Sequence, residues 1–124
     1  MRQHNRRILV VDDEESIRRS LRAYLEDEGF EVIDAESGEK ALEILGQSRV
    51  AAAIVDIRLS GMDGSAFIER AHDLDSDLGF LIFTGSVGYQ PPERLLRMGI
   101  REAHVFIKPL SDMAALTTAL TTIL

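Results

Sequence analysis

Two kinds of hydrophobic pattern alternate along this chain. Short runs of consecutive apolar residues, such as ILVV at 8–11 and LIF at 81–83, are typical of buried strands, whereas apolar residues that recur every three or four positions indicate helices. The runs predict five strands, at 7–11, 30–35, 50–56, 78–84 and 104–108, with helical patterns between them. Almost wholly apolar strands that alternate with helices predict an α/β protein whose parallel sheet is covered on both faces.

Residues that commonly begin or end helices flank the helical patterns. Ser, Asp and Pro favour the starts of helices, and Gly favours their ends. The first helix is predicted over 14–28, with Gly29 ending it. The second helix is predicted to begin at Ser37 and end at Gly46, and the third to begin at Asp63. The fourth is predicted to begin at Pro91 and Pro92 and to run to Met98, and the last to begin at Ser111. The fourth of these helices is expected to be short.

The overall composition narrows the class of protein. The chain has 124 residues, 45% hydrophobic and 28% charged, which suits one globular domain over residues 1–124. A net charge of −7 argues against direct nucleic-acid binding, and no apolar run approaches the ~20 residues that membrane insertion requires. The absence of cysteine excludes thiolate chemistry, and a cytoplasmic protein is expected. The basic residues Arg2, His4, Arg6 and Arg7 are interpreted as a solvated start of the chain.

Polar side chains of a few types stand at the ends of the predicted strands. Asp12 and Asp13 end the first strand, Asp56 the third, Thr84 the fourth and Lys108 the fifth. The carboxyl ends of parallel strands share one edge of the sheet, where ligands bind. Two carboxylates ~4 Å apart repel by ~4 kcal/mol at an effective dielectric constant of ~20, and a divalent cation relieves that repulsion. Ligands that are all oxygen atoms favour Mg²⁺ (or Mn²⁺).

Carboxylates, Mg²⁺, a hydroxyl and an ammonium group are the parts of a phosphoryl-transfer site, because this chemistry needs charge neutralisation and positioning above all. Asp56, alone at the end of the middle strand, is the candidate nucleophile that forms an aspartyl phosphate. Thr84 and Lys108 are candidates to donate hydrogen bonds to the new phosphate. The carboxylate of Asp56, at the end of a buried strand, is therefore interpreted as the group that becomes phosphorylated.

Four motifs, ILVVDDEE, IVDIRLSGMDG, LIFTGS and FIKPL, occur in the order found in response-regulator receiver domains, and the chain resembles that family over essentially its whole length. The resemblance implies a flavodoxin-like, doubly wound sheet of strand order 2-1-3-4-5 with five flanking helices. It implies that Asp12, Asp13, Asp56 and the backbone carbonyl of Arg58 bind the metal. Asp56 would be the phosphoacceptor, Thr84 the switch hydroxyl and Lys108 the phosphate-binding ammonium. The Lys108–Pro109 peptide bond would be cis.

The same resemblance implies a role in signalling. The phosphoryl donor would be a sensor histidine kinase or a phosphotransfer protein, and the domain would catalyse only its own phosphorylation and dephosphorylation. The output would pass to an effector whose identity the sequence does not show. The last helix carries Thr117, Thr118, Thr121 and Thr122 and almost no charge, which favours an effector attached in a longer protein over a stand-alone domain.

The fifth strand departs from the family pattern at one position. Receivers usually have Tyr or Phe three residues before the strand-five lysine, where this chain has Val105. Strand alternation sends the neighbouring Phe106 to the opposite face, so readout through the loop before the fourth helix and through that helix is expected instead. His104 is expected to begin the fifth strand as a packed, hydrogen-bonded ring.

Three other functions are alternatives to a phosphorylated receiver. A phosphatase with an aspartate nucleophile typically carries a second Asp two residues on as general acid, and this chain has Arg58 there. A nucleotide or flavin binder needs a phosphate-cradling loop after the first strand, where the DDEE segment is repulsive. A receiver that only binds partners stays open, although the complete set of site residues argues against it.

Overall fold

The computed structural model describes residues 5–124, which form an alternating series of strands and helices. In chain order the elements are β1 (Arg7–Val11), α1 (Glu15–Asp27), β2 (Glu31–Ala35), α2 (Gly38–Gln47), β3 (Ala52–Val55), α3 (Gly64–Leu74), β4 (Gly79–Thr84), α4 (Glu93–Arg97), β5 (Val105–Ile107) and α5 (Met113–Ile123). A single 3₁₀ turn, Glu102–His104, precedes β5. This is the predicted α/β architecture.

The strands of the described residues form one five-stranded sheet in the order β2-β1-β3-β4-β5, and every pairing is parallel. The predicted flavodoxin-like order is thus confirmed. The strand order reverses direction between β1 and β3, where Val11 lies opposite Val55. At such a reversal the loops beyond the two strands diverge to opposite faces and leave a crevice at the carboxyl edge.

Two apolar layers cover the sheet, one on each face. The helices α2, α3 and α4 cover one face, packing against strand residues such as Leu9, Val55 and Ile82. The other face, which includes Ile8 and Ile54, packs against α1 and α5. Side chains of successive strand residues point to opposite faces, and the interior strands β1 and β3 are buried on both, which is why their sequences are continuously apolar.

Most of the predicted helix boundaries agree with the structure. Ser37 and Asp63 accept hydrogen bonds from the backbone N–H groups of Lys40 and Ala66, and so begin α2 and α3 as predicted. Gly29 follows the end of α1 with φ of +93°, a conformation that favours glycine. The fourth helix is short, as expected.

Three predictions of local structure were wrong. The last helix begins at Asp112, whose carboxylate accepts from the Ala114 N–H, because its oxygen and not that of Ser111 reaches the first turn. The second helix runs through Gly46 to Gln47, since Gly46 keeps a negative φ and continues the helix. His104 lies in the 3₁₀ turn before β5, where its Nδ1 accepts from the Arg101 N–H at 2.9 Å.

Of the amino-terminal basic residues, the structure describes Arg6, which is exposed, and Arg7, which is partly buried. Arg2 and His4 lie outside the described residues. Arg6 donates from Nε to the Gly29 carbonyl at 3.1 Å, and its guanidinium carbon lies 4.1 Å from the centre of the Phe30 ring. Arg6 is nevertheless exposed, which agrees with its interpretation as a solvated residue, and the chain turn after α1 supplies its contacts. Among the described residues, none of the helices combines the length and apolar character that a bilayer crossing requires.

Candidate functional site

The register of β1 and β3 places two buried aspartates side by side at the carboxyl edge. Val11 pairs with Val55, and the backbone N–H of Asp56 donates to the Val11 carbonyl at 2.9 Å. Asp12 and Asp56 therefore leave the sheet together, and their exposed fractions are only 2% and 6%. Two carboxylates buried this closely need a counterion.

Asp13 completes an acidic cluster with Asp12 and Asp56. One carboxylate oxygen from each residue lies within 4.8 Å of the other two. Asp13 is exposed, and within the described residues it makes no hydrogen bond or ion pair. Three carboxylate oxygens that converge in this way form a donor set suited to a hard divalent cation.

The ammonium of Lys108 is the counterion within the described residues. Its Nζ lies 2.7 Å from Asp12 Oδ2, 3.0 Å from Asp56 Oδ2 and 3.5 Å from Glu14 Oε1. Burial raises the pKa of Asp12 by more than the hydrogen bond from Lys108 lowers it. Burial also opposes the charge on Lys108, but its bonds to Asp12 and Asp56 together raise the pKa of the lysine. The lysine is thus held protonated between two carboxylates.

Thr84 ends β4 at the same edge and is fully buried. Its hydroxyl oxygen accepts a hydrogen bond from the Ser86 N–H at 3.3 Å, and the backbone N–H of Lys108 donates to the Thr84 carbonyl at 2.8 Å. Within the described residues, the Thr84 side chain makes no hydrogen bond to Asp56 or Lys108. The structure thus brings Asp12, Asp13, Asp56 and Lys108 into contact range, with the Thr84 hydroxyl engaged in the loop beside them.

Arg58 spans the mouth of the site. Its backbone N–H donates to Asp56 Oδ1 at 3.1 Å, and its side-chain Nε donates to the Ser86 hydroxyl at 3.0 Å. These residues line an open cavity of about 490 Å³ together with Asp13, Glu14 and Lys108. The Lys108–Pro109 peptide bond is cis. The acidic cluster is therefore reachable from solvent, in a cavity large enough for a phosphoryl group.

A group of residues behind the acidic cluster is absent from the site residues predicted from the sequence. Arg18 and Arg22 lie on α1, which buries Leu21 and Leu25. The structure places both guanidinium groups on Asp34 at the end of β2, and Arg18 also donates to the Asp12 carbonyl at 2.7 Å. The only signal in the sequence was an unpaired carboxylate, Asp34, inside a predicted strand.

The departure at strand five has a structural counterpart. Val105 packs on the α2–α3–α4 face and Phe106 on the opposite face, as strand alternation predicted. Tyr89, from the β4–α4 loop (residues 85–92), packs on the same face as Val105. Its hydroxyl is buried, and no group in the described part of the chain meets it in hydrogen-bond geometry, although the Ser65 side chain lies near it.

The fold and the site together define a class of protein. It is an α/β domain with a doubly wound sheet, and the carboxyl edge of the sheet carries a lysine and an acidic cluster suited to a divalent cation. The particular family follows from a family model: the chain matches the response regulator receiver domain over residues 8–121 and belongs to that family. It is thus a receiver domain of the two-component type, as the motifs indicated.

Individual relatives agree with the family. The transcriptional regulatory protein SrrA of Staphylococcus aureus is 46% identical over 57 residues, which are 46% of this chain and 24% of that protein. The chain thus matches about a quarter of the length of this curated relative.

Solved structures of receiver domains superimpose over nearly the whole chain. The response regulator TrrA of Thermotoga maritima, in complex with Mg²⁺ and BeF, is 27% identical with a TM-score of 0.80, over 96% of this chain and 99% of that one. A CheY-like receiver domain from Methanospirillum hungatei is 29% identical with a TM-score of 0.80, over 96% and 94% of the two chains. The flavodoxin-like fold is therefore that of known receivers.

Proposed function

We propose that this domain accepts a phosphoryl group on Asp56 from a histidine kinase or phosphotransfer protein, in a reaction that requires Mg²⁺ or Mn²⁺. The observation that carries the proposal is the buried Asp56 carboxylate, which lies beside two further carboxylates and one ammonium at the floor of an open cavity. The phosphorylated domain then changes conformation and controls an effector.

The donor set fits a divalent cation by charge as well as by geometry. Three ionised carboxylates and one protonated lysine carry a formal charge of −2. Asp12, Asp13 and Asp56 would hold the ion, with the Arg58 carbonyl as a further ligand. When bound, the cation neutralises the charge that builds up on the phosphoryl oxygens. Coordination of Asp13 would also give that exposed carboxylate the partner that the described residues do not provide.

The residues of the chain have separate roles in the transfer. A carboxylate oxygen of Asp56 attacks phosphorus, the bond from phosphorus to the donor nitrogen breaks, and the electron pair leaves with the imidazole, which takes a proton from solvent. Lys108 stays protonated and moves its hydrogen bond from the carboxylate to a phosphoryl oxygen. Dephosphorylation is a separate hydrolysis, in which water attacks phosphorus, the bond from phosphorus to the Asp56 oxygen breaks, inorganic phosphate leaves and the carboxylate is restored. These steps act only on the domain itself, so it is proposed as a signalling phosphoacceptor rather than as an enzyme with a separate substrate.

Phosphorylation is proposed to act on the β4–α4 loop through Thr84. The Thr84 hydroxyl oxygen accepts from the Ser86 N–H and retains its own proton as a donor, and the Ser86 hydroxyl accepts from Arg58 Nε. A phosphoryl group on Asp56 would accept a hydrogen bond from the Thr84 hydroxyl and would compete with Ser86 for the Arg58 guanidinium. Tyr89 anchors the same loop on the core. The loop is therefore proposed to be the part of the domain that exchanges between two conformations.

Intact-mass measurement after incubation with Mg²⁺ and acetyl phosphate tests the acceptor. The wild type is expected to gain one phosphoryl group, and prior chelation of the metal is expected to prevent it. Asp56→Asn should gain nothing, whereas Asp63→Asn, which alters a carboxylate that only caps α3, should still be modified. Phosphorylation of Asp56→Asn to the wild-type extent would refute the assignment.

Amide hydrogen exchange tests the switch separately. Adding Mg²⁺ and beryllofluoride, a phosphoryl mimic, is expected to change exchange in residues 85–92 more than in β1 or β3. Identical exchange in the loop with and without the mimic, under conditions where the mimic binds, would refute a loop-based switch.

The wider context is proposed on the same basis. The domain, over residues 1–124, is proposed to work in the cytoplasm, with the kinase or phosphotransfer protein as donor. Its effector is proposed to be attached in a longer protein, because α5 exposes threonines and almost no charge. Direct contact of this domain with nucleic acid is not proposed, since its net charge is −7.

A further inference from the structure

One arginine behind the acidic cluster contacts the backbone that carries it. Arg18, on α1, donates from Nη1 to the Asp12 carbonyl at 2.7 Å and from Nε to Asp34 Oδ2 at 3.0 Å. Its side chain is only 15% exposed. A planar guanidinium held at two points in this way has little freedom to rotate.

Asp34 is in turn held by a second arginine. Arg22 donates to Asp34 Oδ1 at 2.6 Å and to the Val32 carbonyl at 2.9 Å. Burial opposes the charge on Asp34, but Arg22 and Arg18 together lower the pKa of this carboxylate below its usual value. Asp34 is thus a fixed anchor at the end of β2, and Arg18 is the link from that anchor to the loop after β1.

The peptide groups on both sides of Asp12 are hydrogen-bonded. The Asp12 N–H donates to the Ala35 carbonyl at 3.1 Å, and the Asp12 carbonyl accepts from Arg18. The carboxylate of Asp12 is bound by the Glu14 N–H and by Lys108. The carbonyl of Asp12 belongs to the peptide that leads into Asp13, so the bond from Arg18 constrains the orientation of that peptide.

Asp13 depends on this constraint more than its neighbours do. Its carboxylate has no partner in the described part of the chain, so within that part only the backbone directs it toward Asp12 and Asp56. Rotation of the Asp12–Asp13 peptide would swing the exposed carboxylate away from the other two. A ligand set of this kind is tuned by the groups that orient its members.

We propose that Arg18, held by Asp34, is a positioning residue for the metal site: it fixes the Asp12–Asp13 peptide so that the Asp13 carboxylate faces a divalent cation. This inference rests on the proposed function, because it presupposes a cation at the acidic cluster. It adds a role for a residue that touches neither the cation nor the phosphoryl group.

A purely electrostatic role for Arg18 predicts the opposite result. Removing a positive charge near the acidic cluster makes the site more negative, which strengthens the binding of a cation. Removing a positioning contact weakens it, typically by about 10-fold or more for outer contacts of metal ligands. The sign of the change in affinity therefore separates the two roles.

Direct titration with Mn²⁺, followed by the paramagnetic resonance signal of the free ion, tests the inference. Arg18→Gln is expected to weaken Mn²⁺ binding by about 10-fold. Arg22→Gln removes the same charge from the same helix and leaves the Arg18–Asp12 contact in place, so its affinity should stay within about 3-fold of the wild type by the same scale. Arg18→Lys keeps the charge but cannot bridge both acceptors as a planar fork, and it should also bind more weakly.

Each outcome decides a different question. If the wild type binds no Mn²⁺, the proposed metal site fails and the positioning role fails with it. If the wild type binds but Arg18→Gln binds as well or better, the positioning role alone is overturned. Equal losses in Arg18→Gln and Arg22→Gln also overturn it, because the effect then lies in the shared anchor Asp34. Urea unfolding of each variant verifies its fold, and Arg18→Lys serves for the comparison if Arg18→Gln is unfolded.

Discussion

The chain has two tyrosines, and their hydroxyl groups lie in contrasting environments. The Tyr24 hydroxyl accepts a hydrogen bond from Thr117 Oγ1 at 3.2 Å. The Tyr89 hydroxyl is buried, and no group of the described residues meets it in hydrogen-bond geometry; burial raises its pKa, the nearby Ser65 side chain lowers it and the charge of Asp63 raises it further, with burial the largest of the three. Replacing each tyrosine with phenylalanine should therefore change the free energy of unfolding in opposite directions.

The magnitudes follow from the two environments. A buried polar group without a partner costs about 1–3 kcal/mol, so Tyr89→Phe is expected to stabilise the domain by about 1 kcal/mol once the small void left by the oxygen is allowed for. A satisfied hydrogen bond contributes about 0.5–1.5 kcal/mol, so Tyr24→Phe is expected to destabilise by about 1 kcal/mol. With a urea m-value of about 2 kcal/mol/M, the midpoints should move by about 0.5 M, upward for Tyr89→Phe and downward for Tyr24→Phe.

Equilibrium unfolding in urea, followed by far-ultraviolet circular dichroism at neutral pH, measures both shifts. The two variants serve as controls for each other, since each removes one hydroxyl from a ring that packs on the core. A lower midpoint for Tyr89→Phe would show that its hydroxyl is satisfied in solution, and would refute the reasoning about the loop anchor.

The same variant bears on the switch. If the β4–α4 loop opens by withdrawing the Tyr89 ring, a gain of about 1 kcal/mol in the closed position lowers the open population about 5-fold. Amide exchange in residues 85–92 should then be slower in Tyr89→Phe, and the beryllofluoride-induced change should need more ligand. Unchanged exchange in a variant that is stabilised overall would place the ring outside the loop motion.

Two further predictions concern packing and pH. A Cβ at Gly64 would collide with the Asp56 carbonyl and lie 2.7 Å from the Cα of Ile57, so Gly64→Ala should lower the free energy of unfolding by about 1–3 kcal/mol in a thermal measurement. A Cβ at Gly46 would have nothing within 4 Å, so Gly46→Ala should raise the free energy of unfolding by up to about 1 kcal/mol. Equal effects of the two alanines would contradict this. Because the pKa of Asp12 is raised in the fold, its contribution to stability is full below pH 3.8 and is lost as the pH rises through the folded-state pKa. Asp34 has a lowered pKa, so its contribution is present above pH 3.8 and is lost as the pH falls through the folded-state value. We expect that in metal-free buffer, as the pH rises from 3 to 7, the urea midpoint of Asp12→Asn rises relative to that of the wild type, and the midpoint of Asp34→Asn falls relative to it. If both variants shifted in the same direction, the opposite pKa shifts of the two carboxylates would be refuted.

The fold could be predicted because its main signals are local. Each strand is a short apolar run, and each helix repeats its apolar positions within a few residues, so element type and order follow from neighbours in the chain. The errors lie at the ends of helices and strands, where a single hydrogen bond decides which residue begins or ends the element. Ser111 and Asp112 are both good helix starts, and His104 was assigned to a strand because its bond to the Arg101 N–H leaves no trace in the pattern.

The sequence alone determined that Asp12, Asp13, Asp56, Thr84 and Lys108 lie at one edge of the sheet, because each follows an apolar strand and parallel strands end at a common edge. Only the tertiary structure decided which groups meet beyond that edge. Arg18 and Asp34 are 16 residues apart in the chain, and Arg58 and Ser86 are 28 apart. Whether such side chains touch depends on strand order, register and rotamer together, none of which is a property of a short segment. The position of Tyr89 on the Val105 face is likewise set by how a loop folds over the finished sheet.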